Sequence, residues 1–355
     1  MPAFFSNFTR ENLTVQTRKF VPLLSLIKNI SALSNIGPMK NRFIRFKMFS
    51  VVTGIFIFFL TGCGGNPLKQ LDTPTRGNLK VAIDDSYTLL MDSEIFTFEA
   101  IYKYSKIDTI YATETEVFQN FMNDSVPLIV VNRKLTELEN EILTSQLIVP
   151  KTTLVAYDAL ALIVNNDNSD SKISYDQIKD IFSGTITKWS QINPSSNLGD
   201  INVIFDHYKS GNPRYFKEKF NLDSLPENCY AVQSNREVIN YVEHNRSALG
   251  VISVNWISDY RDSVSNDFLN RIKVVGISPP GDNDQTANYY QPYQAYIAQG
   301  QYPFIREVYC INRQTYSGLA FGLSAYVAGE KGQLIVLHSG LVPATQPIRI
   351  VEIKH

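Results

Sequence analysis

The sequence predicts an α/β protein of two lobes joined by two passages of the chain, and three observations carry that expectation. Strand, polar turn and helix follow one another three times between Leu79 and Glu139, the pattern of a parallel sheet with helices on both faces. Two long apolar stretches, Val155 to Val164 and Tyr302 to Ile311, can each leave one lobe for the other. Capping boxes at Thr136–Glu139, Ser174–Gln177 and Ser234–Glu237 mark helix starts through both halves. In each, a hydroxyl takes the amide three residues on while the Glu or Gln reaches back.

Taken in order, Leu79 to Ile83 is a strand that ends in Asp84-Asp85-Ser86-Tyr87. Leu90, Ile95, Phe98, Ile101 and Tyr102 then fall at helical spacing. Ile107 to Tyr111 is a second strand, closed by Thr113-Glu114-Thr115-Glu116 before a helix with Val117, Phe118 and Phe121. Pro127 to Val131 is a third and ends in Asn132-Arg133-Lys134. Val155 to Val164 crosses to the second lobe. There the predicted elements are a helix with Ile178, Ile181 and Phe182 closed by Gly184, a strand at 201–205, a helix with Val238, Ile239 and Val242, and strands at 248–254 and 272–277. Tyr302 to Ile311 returns, and a helix near 317–328 with a last strand near 347–353 completes the first lobe. Two crossings between two such lobes make a hinged clamshell that holds a ligand in its cleft.

The N-terminus reads as targeting. Met39 to Lys47 is basic, Met48 to Leu60 is a short apolar run, and Leu60-Thr61-Gly62-Cys63 follows at once. That run falls short of the roughly 20 residues a membrane span needs and fits a signal peptide ending in a lipobox, with Cys63 lipidated. Residues 1–38 read as an overextended start, 39–62 as the signal peptide and 63–76 as a tether. The lobes are then expected at 77–156 and 304–355 for the first and 157–303 for the second. A net charge of −1 excludes a general nucleic-acid binder. Four scattered His and three Cys without a CxxC give no metal-ligand spacing, so neither metal nor cofactor is expected. Cys229 and Cys310 could pair or stay free.

The most suggestive stretch is Ile201 to Phe216, where a strand empties through Asp206-His207-Tyr208-Lys209 into Ser210-Gly211-Asn212. Ser210 stands at a helix N-cap ahead of Phe216 and Phe220. The first N–H groups of a helix lack internal partners and, with the macrodipole, favour an anion. Polar turns at 84–87, 113–116, 132–134 and 206–212 all lie at strand carboxyl ends, where open α/β sheets bind ligands.

The block Asp176 to Trp189, reading Asp-Gln-Ile-Lys-Asp-Ile-Phe-Ser-Gly-Thr-Ile-Thr-Lys-Trp, resembles a segment of bacterial phosphate-binding proteins, the periplasmic components of phosphate ABC transporters. The resemblance continues through Ser210-Gly211, Val232 to Val242, Ala248 to Ser253, Tyr302-Pro303 and Gly332 to Ile335, covering most of residues 79–345 in order. Asp85-Ser86-Tyr87 and Asn132 to Thr136 look like the lipoprotein form of this family found in Bacteroidetes. The resemblance implies a type II periplasmic binding protein fold, each lobe a mostly parallel sheet flanked by helices. It implies a monomer, lipid-anchored and facing the periplasm or cell exterior, that delivers inorganic phosphate or a similar anion to ABC permease subunits and is not an enzyme. Its expected ligand residues are Asp85, Ser86, Tyr87, Thr113, Asn132, Arg133, Asp206, Lys209, Ser210, Gly211 and Asn212.

The loop departs from the family pattern in a way that matters. Where the family has Arg, this chain has Asp206, the family's Thr is Asn212, and Pro213 removes an early N–H. Arg133 is then the main candidate cation, because a guanidinium meets two oxygens of a tetrahedral anion at once; Lys209 and Arg214 flank the loop. Asp84, Asp85, Glu114, Glu116 and Asp206 cannot all face one dianion. Two other readings therefore stand beside the first. One is the same clamshell with an organic or less charged ligand, and the other is a hydrolase using paired acids.

Overall fold

The computed structural model describes residues 71–259, 261–282 and 288–345. The signal peptide, Cys63, most of the tether and the strand expected near 347–353 lie outside them. In chain order the elements are β1 (Arg76–Asp84), α1 (Thr88–Ile101), β2 (Tyr104–Ala112), α2 (Glu114–Met122), β3 (Leu128–Val131), α3 (Glu137–Ser145), β4 (Lys151–Asn165), β5 (Lys172–Ile173), α4 (Tyr175–Ser183) and α5 (Trp189–Ile192). There follow β6 (Asn202–Phe205), α6 (Gly211–Phe220), β7 (Cys229–Ala231), α7 (Asn235–His244), β8 (Ala248–Ser253), α8 (Ser263–Arg271), β9 (Ile272–Val274) and β10 (Gly276–Ile277). The last are α9 (Gln294–Ala298), β11 (Ile305–Asn312), α10 (Leu319–Val327), α11 (Glu330–His338) and β12 (Val342–Pro343).

One strand belongs to both lobes. β4 pairs along Lys151–Ala159 with β11 and along Leu160–Val164 with β8, so the sheet runs β2-β1-β3-β11-β4-β8-β6-β7 without a break. In the first lobe β1, β2 and β3 are parallel, as three strand–helix units dictate, and β11 returns antiparallel. In the second, β8, β6 and β7 are parallel. The chain changes lobes between Ala159 and Leu160 and again between Phe304 and Ile305, where the Leu160 amide donates to the Phe304 carbonyl at 2.9 Å. The first crossing thus falls three residues beyond the expected boundary at 156/157, because β4 stays extended and paired straight through it. The first lobe also begins earlier than expected: Asp72 accepts the amide of Leu319 and the hydroxyl of Tyr316, so the end of the supposed tether is built in as the cap of α10.

Period-two alternation sets the core. Leu128 and Val130 point to one face of the first lobe, into the apolar mass that continues along β4 into the second lobe. Ile129 and Val131 point to the other and close over Val117, Phe118 and Phe121 of α2. In the second lobe Phe182 stacks on Phe216 at 4.1 Å, and Phe304, from the return crossing, meets Phe216 edge-on at 5.1 Å. These rings fix α6 against the crossing and so fix where Ser210 lies. Cys229, on β7 in the second lobe, and Cys310, on β11 in the first, are free thiols. Burial pushes both up to about 12.

Candidate functional site

Four strand ends and one mid-strand pair meet between the lobes. At the end of β1, Asp84 turns the chain by accepting the Ser86 amide at 3.0 Å, and its other oxygen accepts Asn132 Nδ2 at 3.0 Å. The turn leaves Ser86 and Tyr87 buried. Opposite, Ser210 caps α6: its hydroxyl accepts the Asn212 amide at 3.3 Å and donates to Asp206 at 2.5 Å. Asp206 also accepts Asn235 Nδ2 at 3.4 Å. At the end of β8, Asn255 Nδ2 donates across the cleft to the Ser86 carbonyl at 3.0 Å.

Beneath these turns lies a charge pair that sequence reasoning did not single out. Arg306 of β11 and Asp158 of β4 are register partners, 4% and 0% exposed, and joined at 2.5 Å. Asp158 also accepts both the Ser253 hydroxyl, at 3.0 Å, and the Tyr87 hydroxyl, at 3.4 Å. Arg306 Nη1 reaches up to Asn212 Oδ1 at 2.7 Å. Its Nε, Asn212 Nδ2, the Ser86 hydroxyl, Asp85 Oδ1 and Asn255 Oδ1 are buried with no hydrogen-bonding partner. Buried polar groups are normally satisfied, so this cluster of donors and acceptors, tied together by the bonds just named, is where a small polar ligand would complete the structure.

The lobes touch above the cluster. Arg214 of α6 donates to Glu114 of α2 through Nε at 2.6 Å and Nη2 at 2.8 Å, and Nη2 also reaches Asn132 Oδ1 at 2.5 Å. The Thr115 hydroxyl donates to the Lys209 carbonyl at 3.0 Å. Gly211 packs directly beneath this contact.

Electrostatically the site is acid-rich. Burial, with the charge of Glu114 next, raises Asp84 to about 7, although Arg306 and the Ser86 amide pull the other way. Burial and the charges of Asp84 and Asp206 raise Asp85 to about 8. Burial likewise raises Asp206, against the hydrogen bond from Ser210. Burial works against the charge of Arg306, but Tyr87, Asp158 and Asp84 more than offset it, and its pKa is raised. Among the described residues no three His, Cys, Asp or Glu side chains converge as metal ligands.

Of the expected residues, Asp85, Ser86, Tyr87, Asn132, Asp206, Ser210, Gly211 and Asn212 gather at this cleft. Three do not. Arg133, the expected cation, is held by Glu139 through two bonds of 2.8 and 2.9 Å and lies 3.5 Å over the Phe118 ring. Glu139 is the reciprocal residue of the α3 capping box, so the helix start that follows β3 captures the guanidinium. Lys209 offers its carbonyl to Thr115, while its ammonium lies 5.6 Å over the exposed Tyr208 ring. Thr113 serves as the N-cap of α2, its amide donating to Glu116 at 3.3 Å. The α6 start is also a leaner anion cradle than expected. Pro213 has no N–H, and the Asn212 amide already goes to Ser210. Asp158, the one charge between Val155 and Val164, and Arg306, which with Glu307 interrupts the apolar stretch Tyr302 to Ile311, were the signal that could have found the missing cation.

A two-lobed α/β body with a buried polar cleft at its crossing strands defines the class of cleft-binding solute receptors. A family model described as a PBP superfamily domain matches residues 69–331, and the chain belongs to that family. The phosphate-binding protein PstS of Staphylococcus epidermidis is 21% identical over 252 residues, which cover 70% of this chain and 73% of that protein. Among solved structures, a phosphate ABC transporter substrate-binding protein from Clostridium perfringens with bound phosphate aligns with a TM-score of 0.61 at 21% identity. The alignment covers 76% of this chain and all of that one. An ABC-type phosphate transport receptor from Vibrio cholerae aligns at 0.56 and 19% identity, covering 74% of this chain and 99% of that one. These likenesses bear out the two-lobed periplasmic-binding-protein fold. No helix among the described residues is long and apolar enough to cross a membrane.

Proposed function

We propose that this chain is an extracytoplasmic receptor that captures inorganic phosphate or a closely related oxyanion and hands it to an ABC permease. The observation that carries this reading is the buried Arg306 with an unpartnered Nε beside the unpartnered Asn212 Nδ2 and Ser86 hydroxyl. Three donors of this kind in one cleft suit a tetrahedral oxyanion, and the relatives named for phosphate support the choice. Ser86 and Asn212, one from each lobe, contact the anion with Arg306 below it. Asp85 accepts from a protonated ligand oxygen, while Asp206, Ser210, Gly211, Tyr87 and Asn132 hold the walls in place.

The test is thermal unfolding with phosphate or arsenate added. Ligand in thousandfold excess over its dissociation constant stabilises by about 4 kcal/mol. No shift with either anion between about pH 5 and about pH 9 sinks the reading. The excess of buried acids favours a second reading, a less charged organic ligand. Native mass spectrometry of protein purified without refolding would expose a bound organic molecule and decide for it.

The receptor acts as a monomer, anchored through Cys63 with the lobes facing the periplasm or cell exterior. The basic stretch, short apolar run and Leu60-Thr61-Gly62-Cys63 motif support the anchor. Intact-mass analysis of detergent-extracted protein is expected to show a chain that begins at a lipid-modified Cys63. A mature chain with an unmodified Cys63 would refute it.

A further inference from the structure

We propose that the cleft binds its oxyanion together with protons, selecting the more protonated, singly charged form, so that affinity holds through neutral pH and falls in alkaline surroundings. This rests on the reading that the ligand is a phosphate-like oxyanion, and specifies the charge state this cleft accepts.

The end of β1 brings Asp84 and Asp85, β4 brings Asp158, the end of β6 brings Asp206, and β11 brings Arg306; all but the half-buried Asp85 are nearly or fully buried. Arg306 matches one of the four carboxyls, Asp158, by direct contact. The other cations nearby are already engaged. Arg214 is bonded to Glu114, Asn132 and Glu218, and Arg133 to Glu139, with Glu114 only 3.8 Å from its Nε. Other titratable groups around the cleft are Tyr87, which donates to Asp158, Tyr215, which donates to the Ile305 carbonyl, His207, whose Nδ1 accepts the Lys209 amide, and Lys209, whose ammonium lies over the exposed Tyr208 ring. A dianion added here would therefore face Asp84, Asp85 and Asp206 with only Arg306, already paired to Asp158, to offset them, and like charges in a buried site repel strongly.

The hydrogen-bonding inventory points the same way. Besides the donors on Arg306, Asn212 and Ser86, the cluster holds acceptors with nothing to accept, Asp85 Oδ1 and Asn255 Oδ1. A fully deprotonated oxyanion has only lone pairs and cannot satisfy them, and a hydrogenphosphate dianion brings one O–H for two acceptors, whereas the singly charged form brings two. A protonated carboxyl that donates to a neighbour can also satisfy them. Whether a given proton sits on the ligand or on a carboxyl, the complex carries the same number. The sign follows from the groups themselves. Asp84 and Asp85 stand at about 7 and about 8, above the ordinary 3.8, so the folded cleft keeps protons up to neutrality and loses them as pH rises through that range.

The experiment is calorimetric titration of the full mature chain with inorganic phosphate from about pH 6 to about pH 9, in buffers of different ionisation heats. One proton coupled to binding gives about a tenfold loss of affinity per pH unit. The expected result is a fall of at least about tenfold between about pH 7 and about pH 9, with net proton uptake in the heats. Asp85→Asn, which removes a charge without changing shape, is expected to bind phosphate with a shallower slope. Affinity that is flat or rises with pH overturns the proposal while leaving phosphate binding intact. A parent-like slope in both Asp84→Asn and Asp85→Asn also overturns it. No phosphate binding at any pH overturns the functional reading beneath it.

Discussion

Arg306→Met is expected to abolish anion binding and to destabilise the protein, and the two effects can be separated. Methionine keeps the unbranched apolar stem of the side chain, so the loss is chiefly that of the guanidinium. Without it Asp158 remains fully buried with only the Ser253 and Tyr87 hydroxyls for company. Breaking a buried pair by removing one partner costs about 3–5 kcal/mol, because the survivor is left charged in a low-dielectric interior. Arg306→Met with Asp158→Asn removes the stranded charge while the amide oxygen still accepts from Ser253. The double variant should recover most of the stability, since replacing both members of such a pair is often nearly neutral. Binding should not return, because no cation then lies beneath Asn212 and Ser86. Urea unfolding gives the first effect and phosphate titration the second. Phosphate affinity within about threefold of the parent in either variant, less than about 0.7 kcal/mol, would show that Arg306 is a structural charge and not the floor of the site.

This pair also shows what the sequence could and could not reveal. The strand order of the first lobe follows from three strand–turn–helix units, and β1, β2 and β3 are parallel for that reason. The turns at Asp84–Tyr87 and Asp206–Asn212 meet because parallel strands deliver their carboxyl ends to one edge. Ser210 caps α6 because local chemistry decides caps. Arg133 misled for an equally local reason. A guanidinium at a strand end looks free in a linear reading, but the capping-box Glu139 that starts α3 is within its reach and holds it at 2.8 Å. Arg306 and Asp158 lie 148 residues apart, and only the antiparallel register of β11 on β4 sets them face to face. No local pattern encodes a register. Yet Asp158 is the one charge between Val155 and Val164, and Arg306 stands with Glu307 in the return stretch Tyr302 to Ile311; an acid on one crossing strand and a base on the other were a cue to pair them. The interlobe bond from Arg214 to Glu114 lacked even that cue, since both look like ordinary solvated residues of helix starts.

Gly211→Ala is expected to weaken binding through closure alone. Glycine is not needed there for its backbone, because the residue sits in the first turn of α6 and is not among the positions of positive φ. It is needed for space. A Cβ at Gly211 would stand 2.4 Å from Asn132 Nδ2, 2.8 Å from Asn132 Oδ1 and 2.8 Å from Glu114 Oε2, all on the opposite lobe. These side chains have little room to give. Asn132 is held between Asp84 and Arg214, and Glu114 accepts two bonds from Arg214. The methyl therefore forces the lobes apart at their closest approach, and the Arg214 contact opens with them. Each lobe keeps its own core, since the aromatic cluster behind α6 is untouched, so the ligand-free protein should unfold at nearly the parent temperature. Affinity should fall by about 10- to 100-fold, because apparent affinity scales with the fraction of molecules that reach the closed state. Small-angle scattering should show the variant at saturating phosphate with a larger radius of gyration than the parent. Parent-like affinity and compaction would mean that Asn132 and Glu114 can yield without opening the cleft, and that the contact above the site does not gate it.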